Sequence, residues 1–165
     1  MLRHNRLVER DSDSESAKDI LQRQEFDMIL GRMVRKAALT EFLLHQTIRK
    51  LIRSRYSGLV TSSLSASAAL DVFKRIVDAA NFGDKAFVEA KEFVDRARAA
   101  FAQRNKYVHG VQVGGERPGE LWLTNRRSGA IDMHKAEVDN LSVLEREFSQ
   151  IGAMLIDWNT QYIDG

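Results

Sequence analysis

Three side chains able to handle a phosphate fall close together at Arg104, Asn105 and His109, in the run Phe-Ala-Gln-Arg-Asn-Lys-Tyr-Val-His-Gly at residues 101–110. At about 100° per helical residue, Arg104 lies within about 20° of Ala97, on an apolar stripe that also holds Phe93 and Phe101. A cation on that stripe needs a partner. With Arg104 as zero, Asn105 stands at about 100° and His109 at about 140°, so the long guanidinium stem can bring all three polar groups to one shared anion. Two neighbours extend the group: Tyr107 offers a ring to stack on a base, and Lys106 adds a cation. Plainer roles are open to each. Arg104 suits a partly buried ion pair with a carboxylate on another helix, and His109 is favoured at a helix C-terminus by the dipole. Asn105 can be an ordinary helix-end amide, Tyr107 a packing residue and Lys106 a solvated charge.

Helical periodicity supplies the scaffold for these residues. Residues 1–17 are polar, with acids and serines alternating from Asp11 to Ser16, and hold too little apolar surface to offset the entropy of ordering. A disordered N-terminal tail is expected there, followed by one domain over 18–165. Leu21, Met28, Leu30, Val34, Ala37, Leu44, Ile48 and Leu51 recur at helical spacing and predict a first helix over 18–55. Residues 56–62 form a connection. Ser62, Ser63 and Ser65 are each suited to cap a second helix running through Leu70, Phe73 and Val77 to residue 80. Asp84 is placed to cap a third, striped by Phe87, Ala90, Phe93, Val94, Ala97, Phe101 and Val108, with Gly110 as its left-handed terminator. The pattern then changes. Between 111 and 134, glycines and the single proline, Pro118, surround two alternating runs at 120–124 and 130–133, which predict a β-hairpin. From residue 135 to 162, Leu141, Leu144, Phe148, Ile151, Leu155 and Trp158 restore the helical period. The prediction is an all-α antiparallel four-helix bundle with a β-hairpin inserted between helices 3 and 4.

Composition narrows the chemistry. The chain has no cysteine, which removes disulfides, thiolate nucleophiles and cysteine-bound metal and fits a reducing, cytoplasmic setting. His4, His45, His109 and His134 form no HExxH or i, i+4 pair, so neither a metal nor another cofactor is expected. Gly110, Gly114, Gly115 and Gly119 precede a predicted strand rather than a helix, which excludes a phosphate-cradling P-loop or dinucleotide fingerprint. No apolar run is long enough to span a bilayer, and the basic start of the chain lacks the apolar core of a signal peptide. A net charge of +2 makes no global case for nucleic acid. Locally, Arg32, Arg35, Lys36, Arg49, Lys50, Arg53 and Arg55 face Glu41 alone, a pattern open to a nucleic-acid surface or to a solvated helix face. Glu92 and Arg96, at i and i+4, read as a surface pair.

The Arg-Asn-x3-His spacing at Arg104, Asn105 and His109, near the end of the third of four helices, resembles the signature of HEPN domains, the higher eukaryote and prokaryote nucleotide-binding superfamily. The likeness spans about residues 18–162, and departs from some members at Val111, where they carry a tyrosine. It implies a homodimer whose two subunits each present Arg104 and His109 to a composite site. Many HEPN proteins cut single-stranded RNA without a metal, some in toxin or defence systems with an antitoxin or other protein partner. Others bind nucleic acid, nucleotide or protein without catalysis. On the catalytic reading His109 exchanges protons with a ribose 2′-hydroxyl or the leaving oxygen, as suits an imidazole with an unperturbed pKa of about 6.5. Arg104 holds the scissile phosphate, and Asn105 orients His109 or bonds the phosphate.

Overall fold

The structure, a computed structural model, describes residues 5–112, 120–124, 131–135 and 137–165. Among them lie five helices, α1 (Asn5–Ile52), α2 (Ser57–Ser62), α3 (Ala66–Ala80), α4 (Asp84–His109) and α5 (Val138–Tyr162). Three short strands, β1 (Val111–Gln112), β2 (Glu120–Thr124) and β3 (Ile131–Lys135), stand between α4 and α5.

Local chemistry sets the helix ends. The Ser65 hydroxyl accepts the Ala68 N–H at 3.3 Å and so caps α3, choosing one of the three serines available. Asn81 ends α3 in the left-handed region at φ 49°, a conformation asparagine tolerates better than most residues. Gly83, at φ 93°, then turns the chain into α4, taking the capping position expected of Asp84, which lies inside the first turn. Gly110 is not a left-handed terminator. Its φ of −75° and ψ of 141° are extended, and the chain passes from α4 directly into β1.

Pairs of contacting residues fix the helix directions. Thr40 meets Phe148, Thr47 meets Asn159 and Lys50 meets Asp164, so α1 and α5 run parallel. Phe101 packs on Phe148 while the Trp158 indole donates to the Ala86 carbonyl, so α4 runs against α5. Asp71 pairs with Arg98 and Phe73 packs on Phe93, so α3 also opposes α4. Of the four long helices, α1, α3 and α5 therefore share one sense, and α4 opposes them.

The predicted antiparallel four-helix bundle with an inserted hairpin is thus corrected. The helical body has a fifth helix, α2, within the stretch expected to be a plain connection. It lies along α1, held where the Arg49 Nε donates to the Thr61 hydroxyl at 2.7 Å, and it carries the chain back so that α3 starts again in the sense of α1. The insertion is not a hairpin either: β1 pairs with β2 as well as β2 with β3, all antiparallel, because an extended Gly110 admits β1. Pro118 and the turn at 125–129 lie outside the described residues. Strand β3 also occupies Ile131–Lys135, delaying α5 to Val138. At the other end α1 begins at Asn5, where a disordered tail was expected; extending an existing helix needs no new nucleus, and nothing from residue 5 to 17 is proline or glycine.

The core lies between α1, α3, α4 and α5, with α1 and α4 each packed against both α3 and α5. Phe73 sits edge-on to both Phe93 and Trp158, at 5.5 and 5.3 Å between centroids, which locks three helices together. Met33, Leu44, Ile48, Leu70, Phe148, Ile151 and Leu155 fill the space around them. Two buried threonines join α1 to α5. The Thr47 hydroxyl donates to the Leu43 carbonyl at 2.9 Å and accepts from the Asn159 amide at 2.7 Å. The Thr40 hydroxyl lies 3.0 Å from the Lys36 carbonyl and 3.2 Å from that of Phe148.

Candidate functional site

Antiparallel packing of α3 on α4 leaves the start of α3 beside the last three turns of α4, with α1 alongside. Between them is a cleft of about 340 Å3, bordered by Glu41, Ser65, Ser67, Arg98, Arg104 and Asn105. Arg104 leaves the core stripe past Phe101, with its Cζ 5.7 Å from the ring centroid, and keeps 22% of its side chain exposed. Its Nη1 donates to the Asn105 Oδ1 at 3.1 Å. Its Nη2 stands 3.8 Å from the Glu41 Oε2, close enough for attraction and too far for a hydrogen bond. The Nε is buried and has no hydrogen-bond partner among the described residues. Arg104 is therefore a half-buried cation whose donors exceed its acceptors.

Asn105 and His109 are both exposed. On the wheel of α4, His109 falls within about 40° of Arg98, Ala102 and Asn105, the flank that borders this cleft. Among the described residues no hydrogen bond or ion pair involves the His109 imidazole. Arg98 adds a second guanidinium, ion-paired to Asp71 of α3 and about half exposed.

Tyr107 and Lys106 do not join this group. They line a second and larger cleft, about 720 Å3, between α4 and α5, on the opposite flank of α4 from Asn105. Tyr107 is half-buried against the core, and burial together with the Glu137 carboxylate raises its hydroxyl above the ordinary tyrosine pKa, so it stays a donor. At the far end of that cleft Arg96 donates to both Glu147 oxygens, at 2.8 and 2.9 Å, and to the Gln150 side-chain oxygen at 2.7 Å. The hydrogen bonds from Arg96 hold the Glu147 carboxyl below its usual range. Arg96 thus spends itself chiefly across the α4–α5 interface, and the expected partner Glu92 is only a 3.8 Å neighbour.

The residue that sequence reasoning missed is Glu41. Its signal was present, as the lone carboxylate in a strongly basic stretch, but nothing in the periodicity of α1 pointed it at α4. His45, one turn further along α1, has its Nε2 buried with no hydrogen-bond partner among the described residues. Compared with known proteins, the chain matches no family model, no curated protein and no solved structure. Among the described residues no helix is long and apolar enough to cross a membrane.

Proposed function

We propose that the protein is a HEPN-like, metal-independent endoribonuclease that works as a homodimer on single-stranded RNA, in the manner of toxin or defence enzymes. The observation that carries this reading is the state of Arg104: a half-buried guanidinium at a cleft, with no partner for its Nε among the described residues and the Glu41 carboxylate at 3.8 Å. A phosphate oxygen at about 2.8 Å makes the charge-assisted bond that Glu41 does not. Arg98 on the same cleft adds to the attraction for a polyanion.

In the proposed reaction the ribose 2′-oxygen attacks the phosphorus and gives its proton to His109. The bond to the 5′-oxygen breaks, and His109 of the partner subunit protonates that leaving oxygen. The products are a 2′,3′-cyclic phosphate and a free 5′-hydroxyl. Arg104 stabilises the charge gathering on the non-bridging oxygens, and Asn105, bonded to Arg104, holds the guanidinium in place. An exposed imidazole on the last turn of α4 is free to meet its counterpart in a second copy.

The second reading is a non-catalytic HEPN-like dimer that binds nucleic acid, nucleotide or a protein partner such as an antitoxin. It is favoured by one observation, that Arg104 already has a counter-ion, Glu41, within its own chain. Incubation with labelled single-stranded RNA in EDTA separates the two. The enzyme reading expects a cyclic-phosphate product, resistance of DNA of the same sequence, and loss of cleavage in folded His109→Ala and Arg104→Ala variants. Intact RNA, or cleavage that persists in both variants, overturns it.

A further inference from the structure

Helix α2 turns its polar side inward. Its first turn starts from Tyr56, whose carbonyl accepts from the Leu59 and Val60 N–H groups at 2.9 and 3.2 Å. At about 100° per residue, Tyr56, Leu59 and Val60 then share one face, and Ser57, Gly58 and Thr61 share the other. The second face is the one that meets α1. Thr61 is fully buried there, its hydroxyl donating to the Ser57 carbonyl at 3.1 Å and accepting from the Arg49 Nε at 2.7 Å. The apolar face looks outward, with Tyr56 53%, Leu59 73% and Val60 46% exposed. A surface helix ordinarily buries its apolar side. This one hides a threonine and shows a leucine.

The rim of that face is cationic. From residue 42 to residue 70 the chain has no aspartate or glutamate, and it has four cations, Arg49, Lys50, Arg53 and Arg55. Arg49 is taken up by Thr61 and Lys50 by Asp164. Arg53 and Arg55 are exposed, and no ion pair is found for either among the described residues. Arg55 lies over the Tyr56 ring, with its Cζ 4.7 Å from the centroid, which places a charge at the edge of the apolar face. Arg53 stands where α1 ends, in the left-handed region at φ 50°, a position that glycine fills at least cost.

Three protruding apolar side chains with a cationic rim match a layer that is anionic at its surface and apolar beneath, as an anionic bilayer is. Other occupants fit less well. A second copy docked through the same face would set Arg53 and Arg55 against their own counterparts, with no carboxylate between them. A protein partner needs a larger face: six helical residues rise about 9 Å, and three side chains fall far short of the roughly 800 Å2 per partner that a stable interface covers. RNA gains nothing from an exposed leucine and valine. A bilayer requires neither a groove nor a fixed shape, and tyrosine, apolar in its ring and polar at its tip, suits the headgroup level.

We propose that α2 is a membrane-contact site, in which Leu59 and Val60 enter the acyl boundary of an anionic bilayer, Tyr56 lies at headgroup level, and Arg53 and Arg55 meet the lipid phosphates. The contact is peripheral. It uses no residue of the Arg104 cleft, so it stands whether or not RNA is cut there.

The test is co-sedimentation of the full chain with vesicles of phosphatidylcholine alone and of an equal mixture with phosphatidylglycerol, both in EDTA. Binding to the anionic vesicles is expected to be at least about ten-fold tighter, since each arginine near such a surface strengthens it about five-fold. Leu59→Ser should weaken it about ten-fold. Arg55→Gln and Arg53→Asn, the second tolerant of the left-handed backbone, should each weaken it about five-fold. All three positions are exposed, and circular dichroism checks that helical content is unchanged. Arg35→Gln, on the basic stretch of α1, should leave binding unchanged and so separates α2 from that stretch. Tyr56→Trp reads insertion, because its emission should shift to the blue on anionic vesicles beyond any shift of the parent protein. Absence of binding to the anionic vesicles, equal binding to phosphatidylcholine, unchanged binding in Leu59→Ser, or an unshifted Tyr56→Trp emission overturns the proposal. A halved mass of Leu59→Ser in light scattering would assign the face to a second copy, and a loss of RNA affinity in that variant would assign it to RNA; either result overturns the proposal as well.

Discussion

Glu41 of α1 and Arg104 of α4 face each other at 3.8 Å across a cleft, and the buried Nε of Arg104 has no hydrogen-bond partner among the described residues. A pair at this distance with both side chains partly exposed contributes about 0–1 kcal/mol, so the carboxylate acts as a resident counter-ion that a phosphate can displace. Glu41→Gln removes the competitor and keeps the shape. Affinity for single-stranded RNA, measured by fluorescence anisotropy at fixed ionic strength, is expected to rise up to about five-fold, the factor that matches about 1 kcal/mol. A fall in affinity would show that Glu41 orients Arg104 instead of competing for it.

The Arg96–Glu147 bridge predicts a pH dependence of stability. The Glu147 carboxyl is held below its ordinary value of 4.5 by the hydrogen bonds from Arg96. A carboxyl whose folded pKa is depressed contributes stability that is present above its unfolded pKa and is lost as pH falls through its folded one. Glu147→Gln should therefore lower stability by about 1 kcal/mol at pH 7 and by less as the pH drops below about 4. Urea unfolding of both proteins from pH 7 to pH 3 checks this, and parallel curves would refute the assignment.

Much of the helical body was legible in the sequence because burial there follows period. Phe73, Phe93, Leu144, Phe148, Ile151 and Leu155 repeat at helical spacing and are all buried. Direction was not legible. Parallel α1 and α5 depend on α2, whose six residues Ser57–Ser62 are too few to show a period, and on one side-chain bond between Arg49 and Thr61. The candidate site was legible as far as a single helix could reveal it: Arg104, Asn105 and His109 share a segment, and the wheel separates Tyr107 from Asn105. Glu41 was not, since it is 63 positions from Arg104 and its proximity arises from packing, which a wheel does not encode.

Phe73 joins three helices through its contacts with Phe93 and Trp158 and is fully buried. Phe73→Ala removes the ring from a site that larger neighbours on α4 and α5 cannot collapse to fill, so a loss of about 3–5 kcal/mol is expected. The thermal midpoint and the near-ultraviolet signal of Trp158 should fall together. A loss below about 1 kcal/mol would place the cooperative core elsewhere.

The proposed composite site requires a second copy, and α1 offers a surface for one. Phe42, Leu43 and Leu44 are consecutive on a helix and cannot all face one core. Leu44 is buried, Leu43 is half-buried against the core and Phe42 is 56% exposed. Leu21, Met28 and Leu39 are also exposed, and on the wheel of α1 they lie with Phe42 within an arc of about 60°. Such a stripe is wider than the isolated apolar residues normal on a monomer surface, and a two-fold pairing covers it on both copies at once. Arg35 falls within the same arc and Arg32 about 20° beyond it, so the stripe carries charge that a buried helix core would not tolerate. Light scattering at micromolar concentration should then give about twice the 18.8 kDa chain mass. Phe42→Glu puts a charge into that contact while leaving the interior untouched, so the expected outcome is a folded monomer with unchanged helical content and no RNA cleavage. A dimer that persists in Phe42→Glu would move the interface off this face of α1. A wild-type monomer would remove the composite site altogether, since a single chain presents only one His109 to exchange the two protons of the proposed reaction.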